Sequence, residues 1–87
     1  MRTDIVALIL ELTKDKTMST SDLQTKTNLS PAKLNQILEL LVTKGLIRTT
    51  SGNKGKVTEI TPTERGIAFL ELYNAIKMKY LTVSSTG

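Results

Sequence analysis

The chain has 87 residues and a net charge of +4, from twelve Lys and Arg against eight Asp and Glu, with no cysteine, histidine or tryptophan. That length makes one domain burying about 60 to 65% of the surface its unfolded form exposes, so stability is modest and a partner subunit would add to it. Disulfides, cysteine zinc sites, imidazole acid-base catalysis and Ser-His or Cys-His nucleophile pairs are all excluded by composition.

The first predicted element covers residues 4–12, where Ile5, Leu8, Ile9 and Leu12 share one helical face and Thr3 or Asp4 can cap it. No run approaches a membrane span, and MRTDIVALILEL carries Asp4 and Glu11 in place of a signal-peptide pattern, so a cytoplasmic protein is expected. Residues 13–17 form a charged link, and Thr17 and Met18 are placed to pair weakly with a later strand.

Residues 18–47, MSTSDLQTKTNLSPAKLNQILELLVTKGLI, hold two helix starts, one tight turn and one helix stop. Ser19 with Asp22 three residues on resembles a capping box with a shorter acid, and Met18 and Leu23 are placed for a hydrophobic staple. A short helix follows from Thr20 to about Lys26, then Thr27, Asn28 and Leu29 form a corner. Ser30 caps the next helix and Pro31 suits its first position. Leu34, Ile37, Leu38 and Leu41 then make one apolar stripe, and Gly45 stops the helix after Lys44. The opposite face presents Ala32, Lys33, Asn35, Gln36, Glu39, Thr43 and Lys44. This is a helix-turn-helix.

After Gly45 the period changes to 2. Leu46–Thr50 and Lys56–Ile60 are β-prone, and Ser51, Gly52, Asn53, Lys54 and Gly55 between them are turn chemistry, so the pair reads as a hairpin with Lys54 and Lys56 at or beside its tip. Thr61 is expected to cap a last helix, with Pro62 at its first position and Glu64 at its third, running to about Leu81. Every aromatic residue lies there: Phe69, Tyr73 and Tyr80 share a stripe with Ile76. A stripe reaching past its own domain calls for a partner helix, as in a coiled-coil-like homodimer; the alternative is a helix folded back on the first one. The expected organisation is a core over residues 1–61, a dimerisation helix over 62–81 and a flexible tail over 82–87.

Charge placement narrows the partner. Lys26, Lys33, Lys44, Arg48, Lys54, Lys56 and Arg65 face only Glu39, Glu59 and Glu64 between residues 26 and 65, so the whole positive excess lies in that half. A polyanion-binding face needs this, although the same lysines would also serve as an ordinary solvated surface. Stacking platforms for single strands or RNA are missing from the first 68 residues. Duplex DNA needs none. Asn35 and Gln36 suit adenine edges, Lys33 suits guanine or phosphate, and Arg48, Lys54 and Lys56 suit phosphates or the minor groove from the hairpin. Ser30, Ala32 and Lys44 complete the candidate DNA face; Ser30 reads first as a cap, although a helix N-terminus also suits a phosphate.

The acids are scattered, and five of them (Asp4, Glu11, Asp22, Glu64, Glu71) are accounted for as caps or exposed helix positions. Residues 52–56 lack the GxxxxGK[ST] phosphate-loop pattern. No enzyme activity, cofactor or metal is expected.

The run SDLQTKTNLSPAKLNQILELLVTKGLI, a basic hairpin and then ITPTERGIAFLELY resembles the winged helix-turn-helix regulators of bacteria and archaea over about residues 4 to 81. Their "GLI" opens the first wing strand and their "T-x-x-G" starts the next helix. The match is carried by Leu23, Leu29, Leu34, Leu38, Leu41, Gly45, Leu46, Ile47, Thr61 and Gly66. It looks most like the small archaeal DNA-binding members that dimerise through a C-terminal antiparallel coiled coil, although the last helix here is shorter than their arms. The resemblance implies a mainly helical fold with a small β-hairpin wing and a long C-terminal helix. It makes Pro31–Lys44 the recognition helix and Ser51–Lys56 the wing, in a transcriptional regulator or a nucleoid-associated chromatin protein. Two other readings stand beside it: a winged-helix protein-protein module in a transcription-related assembly, and a small-molecule-responsive repressor, for which the chain offers no pocket residues beyond the dimer seam.

Overall fold

The computed structural model describes residues 3–51 and 57–78, which follow as α1 (Thr3–Lys14), α2 (Thr20–Thr27), α3 (Pro31–Thr43), β1 (Ile47–Ser51), β2 (Val57–Pro62) and α4 (Glu64–Ile76). The fold is mainly helical with one antiparallel hairpin. Its core gathers Val6, Ala7, Ile9 and Leu10 from α1, Leu23 from α2, Leu34, Leu38 and Leu41 from α3, and Leu46, Ile47, Ile60 and Leu70 from the remainder.

α1 buries a different stripe from the one its leucines predict. Val6, Ile9, Leu10 and Thr13 face inward, whereas Leu8 is 38% exposed and Ile5 and Leu12 are only partly buried. Residues 5–10 are apolar all round, so periodicity alone does not choose a face. The polar Thr13 hides the true one. Its hydroxyl donates to the Ile9 carbonyl at 2.9 Å, which satisfies the group in the core and makes threonine acceptable there.

Local chemistry sets the helix-turn-helix corner as the sequence indicates. Ser19 Oγ accepts from the Asp22 amide at 3.1 Å, and the Asp22 carboxylate accepts from the Ser19 amide at 3.4 Å, closing the capping box. α2 ends one residue beyond the predicted point, because Asn28 takes the left-handed conformation (φ 59°) and its amide reaches the Gln24 carbonyl. The corner is therefore Asn28, Leu29 and Ser30. Ser30 Oγ accepts from the Lys33 amide at 3.2 Å, and Pro31 opens α3.

β1 pairs with β2 from Ile47 opposite Pro62 to Ser51 opposite Val57, with a register shift between Thr50 and Ser51. Met18 adds a bridge on the other side of β2: its carbonyl accepts from the Ile60 amide at 2.8 Å, as the expected weak pairing required.

The start of the last helix is corrected as well. Thr61 and Pro62 belong to β2, opposite Arg48 and Ile47, and the cap of α4 is Thr63. Proline closes the strand, where its missing N–H costs no ladder bond, and Thr63 Oγ1 accepts from the Gly66 amide at 3.1 Å. The T-x-x-G pattern, read as Thr63 to Gly66, marks the start better than the first threonine did. α4 lies against α1 and β2, then passes into a π-type turn at Lys77 and Met78. The predicted extension to Leu81, the tail at 82–87 and the hairpin tip at 52–56 lie outside the described residues.

Candidate nucleic-acid interface

α3 is two-sided. Leu34, Leu38 and Leu41 are buried beneath it, while Ala32, Lys33, Asn35, Gln36, Glu39, Thr43 and Lys44 are all exposed. At about 100° per residue the outward side divides into three strips. Ala32, Gln36 and Thr43 form its crest, with Glu39 beside them. Lys33 and Lys44 lie one above the other on one flank, and Asn35 and Val42 lie on the flank toward β1.

That second flank borders an open groove of about 510 Å³, lined by Asn35, Leu38, Glu39, Val42, Thr43 and, from β1, Thr49. Arg48 is exposed on β1 beside Thr49. Lys54 and Lys56 fall outside the described residues, so the predicted basic tip is a property of the sequence alone.

Two residues were missed from the sequence, and a third, Arg65, was counted there only in the charge balance. Val42 is 44% exposed at the groove edge, and Thr49 forms the groove's far wall. Both look like ordinary helix and strand residues in sequence. Arg65 lies on α4, yet its guanidinium comes within 3.7 Å of the place a Cβ on Gly45 would take, which puts a cation beside the end of α3. A helix C-terminus carries partial negative charge, so this position favours a cation.

The end of α3 is tied to the start of α4. Gly45 turns the chain with φ +74°, and its carbonyl accepts from the Thr63 hydroxyl at 2.5 Å. The Leu46 carbonyl accepts from the Thr63 amide at 3.1 Å. Gly66 sits so close that a Cβ there would overlap the Leu46 carbonyl oxygen. One threonine and two glycines thus fix where α3 stands relative to α4.

The predicted dimer stripe divides in two. Phe69 and Tyr73 are partly buried against the core, with ring centroids 6.5 Å apart at an interplanar angle of 20°. Ile76 is 50% exposed, and Tyr80 lies outside the described residues. α4 and α1 enclose a groove of about 410 Å³ whose walls include Ala7, Leu8, Leu70 and Tyr73. The folded-back packing on the first helix and an outward apolar end therefore coexist. Among the described residues no group of acids could hold a metal ion, and no helix is long and apolar enough to cross a membrane.

A helix-turn-helix followed directly by an antiparallel hairpin, on a core shared by four helices, defines the class. The chain belongs to the winged helix-turn-helix family, whose model matches residues 1–80. Among solved structures, a PadR family transcription regulator from hypervirulent Clostridium difficile superposes with a TM-score of 0.82 at 19% identity, over 94% of this chain and 95% of that one. A variant of ZitR from Lactococcus lactis gives 0.78 at 20% identity, over 98% of this chain and 59% of its own. The adhesin competence repressor AdcR from Streptococcus pyogenes gives 0.74 at 20% identity, over 94% and 61%. The chain thus spans 59% and 61% of those two proteins. At such identities the likeness is one of fold. No curated protein matches the sequence.

Proposed function

We propose that this protein is a homodimeric transcriptional regulator that binds double-stranded DNA, with α3 in the major groove and the wing on the backbone. The observation that carries this reading is the outer face of α3: small and amide side chains on a crest about one helix wide, flanked by Lys33 and Lys44 and opposed by a buried stripe. A helix of that cross-section fits the major groove, and short polar side chains on it reach base edges. Arg48, Lys54 and Lys56 hold phosphates from the wing. Ser30 accepts from the Lys33 amide and keeps its own hydroxyl hydrogen for a phosphate oxygen. Ile76 and Tyr80, continuing from Phe69 and Tyr73, form the seam between two copies.

The test is a salt titration of binding to a random-sequence duplex, with single-stranded DNA and RNA of equal length as controls. Duplex binding is expected to dominate, with log affinity falling against log salt at about −0.9 per neutralised phosphate. Absence of binding to all three at low salt and micromolar protein would refute the reading. It would favour the protein-protein module, for which the exposure of Leu72 (62%) on α4 and of Met78 (68%) just past its end speaks. Replacing Lys33, Lys54 and Lys56 together by glutamate separates the two: it abolishes duplex binding and spares an apolar partner surface.

A further inference from the structure

Glu39 is out of place on a face that meets phosphates. It stands exposed in the middle of α3, and its neighbours one turn away on the same helix are Asn35, Gln36, Val42 and Thr43, none of them basic. Among the described residues its side chain takes part in no ion pair or hydrogen bond. It lines the groove between α3 and β1, beside Asn35, Val42, Thr43 and Thr49. A carboxylate there weakens attraction to every phosphate nearby. It improves binding only where the duplex offers a hydrogen-bond donor.

In the major groove, cytosine presents the N4 amino group, a donor with no acceptor of its own beside it. Guanine presents two acceptors, thymine presents O4, and adenine sets its N6 donor next to the N7 acceptor. A carboxylate is repelled by guanine and thymine, partly opposed by adenine and matched by cytosine. Resting on the DNA-binding reading above, we propose that Glu39 is a specificity-determining residue that accepts a hydrogen bond from a cytosine amino group. Glu39 lies four residues beyond Asn35, about 6 Å farther along the helix axis, so the base it reads differs from the one Asn35 meets. Binding to other sequences is weakened by the same charge, so one side chain both selects a base and lowers non-specific affinity.

The experiment is selection of sites from a randomised duplex library by the full chain and by Glu39→Gln and Glu39→Ala, with folding checked by circular dichroism. Alongside it, each protein's affinity for random duplex is titrated against salt. The wild-type chain is expected to select cytosine at one fixed position in each half-site. Glu39→Ala should lose that preference by about 5- to 150-fold at that position alone, keep the others, and bind random duplex more tightly. Glu39→Gln should admit adenine there, because an amide donates as well as accepts. Unchanged base preferences in both variants would overturn the proposal while random-duplex binding upheld the DNA-binding reading. Failure of the wild-type chain to bind random duplex at low salt would overturn both.

Discussion

α3 and α4 are each 13 residues long, and they solve opposite problems. α3 buries three leucines in a continuous stripe and offers solvent a polar, lysine-flanked face. α4 buries only Gly66 and Leu70, and leaves Leu72, Ile76 and, just past its end, Met78 largely exposed. The first helix is finished as part of a monomer, and its outer side is suited to a hydrated, charged ligand. The second leaves apolar residues exposed toward one end, and the proposed dimer seam rests on that exposure.

The comparison is broken most severely by emptying the stripe of α3. Leu34 is fully buried, so Leu34→Ala is expected to lower the unfolding free energy by about 2 to 5 kcal/mol, read as a reduced midpoint in guanidinium. Ile76→Asp is the matched change on α4. It should leave secondary structure intact and yield monomers by light scattering, and an unchanged mass would remove the dimer seam from the argument.

Gly66→Ala comes next. The new methyl would meet the Leu46 backbone oxygen, which is not a flexible group, so α4 must shift outward at a cost of about 1 to 3 kcal/mol. If the melting temperature does not fall, the close approach of α4 to the end of α3 is not what fixes their relative position.

The two helices also differ in how much of them the sequence discloses. α3 shows itself through Ser30, Pro31, its leucine spacing and Gly45, because each of those residues acts within its own few neighbours. α4 starts at a threonine that two candidates, Thr61 and Thr63, could supply. Only strand pairing, a contact with residues 47 and 48 far back in the chain, assigns the first to β2. The buried face of α1 was hidden for a related reason: with apolar residues on all sides, the choice between Leu8 and Thr13 is made by what packs against the helix. On the proposed DNA face, charge and amides were legible as residue types. The groove between α3 and β1, and Arg65 beside Gly45, arise from elements brought together only in the fold.

The smallest effect tests the link between the two helices. Thr63 joins them with one side chain, its hydroxyl accepting from the Gly66 amide and donating to the Gly45 carbonyl. Thr63→Val keeps the shape and removes both bonds, and loss of a cap of this kind costs about 0.5 to 2 kcal/mol. Thr63→Ser restores the hydroxyl and should recover most of the loss. Hydrogen exchange at the Gly66 amide gives the local readout: it should quicken in the valine variant and return toward the wild-type rate in the serine one. Equal exchange in all three would show that the helix ends are held by the backbone bond from Thr63 to Leu46 and by the packing of Gly66. The difference between α3 and α4 would then rest on apolar contacts alone.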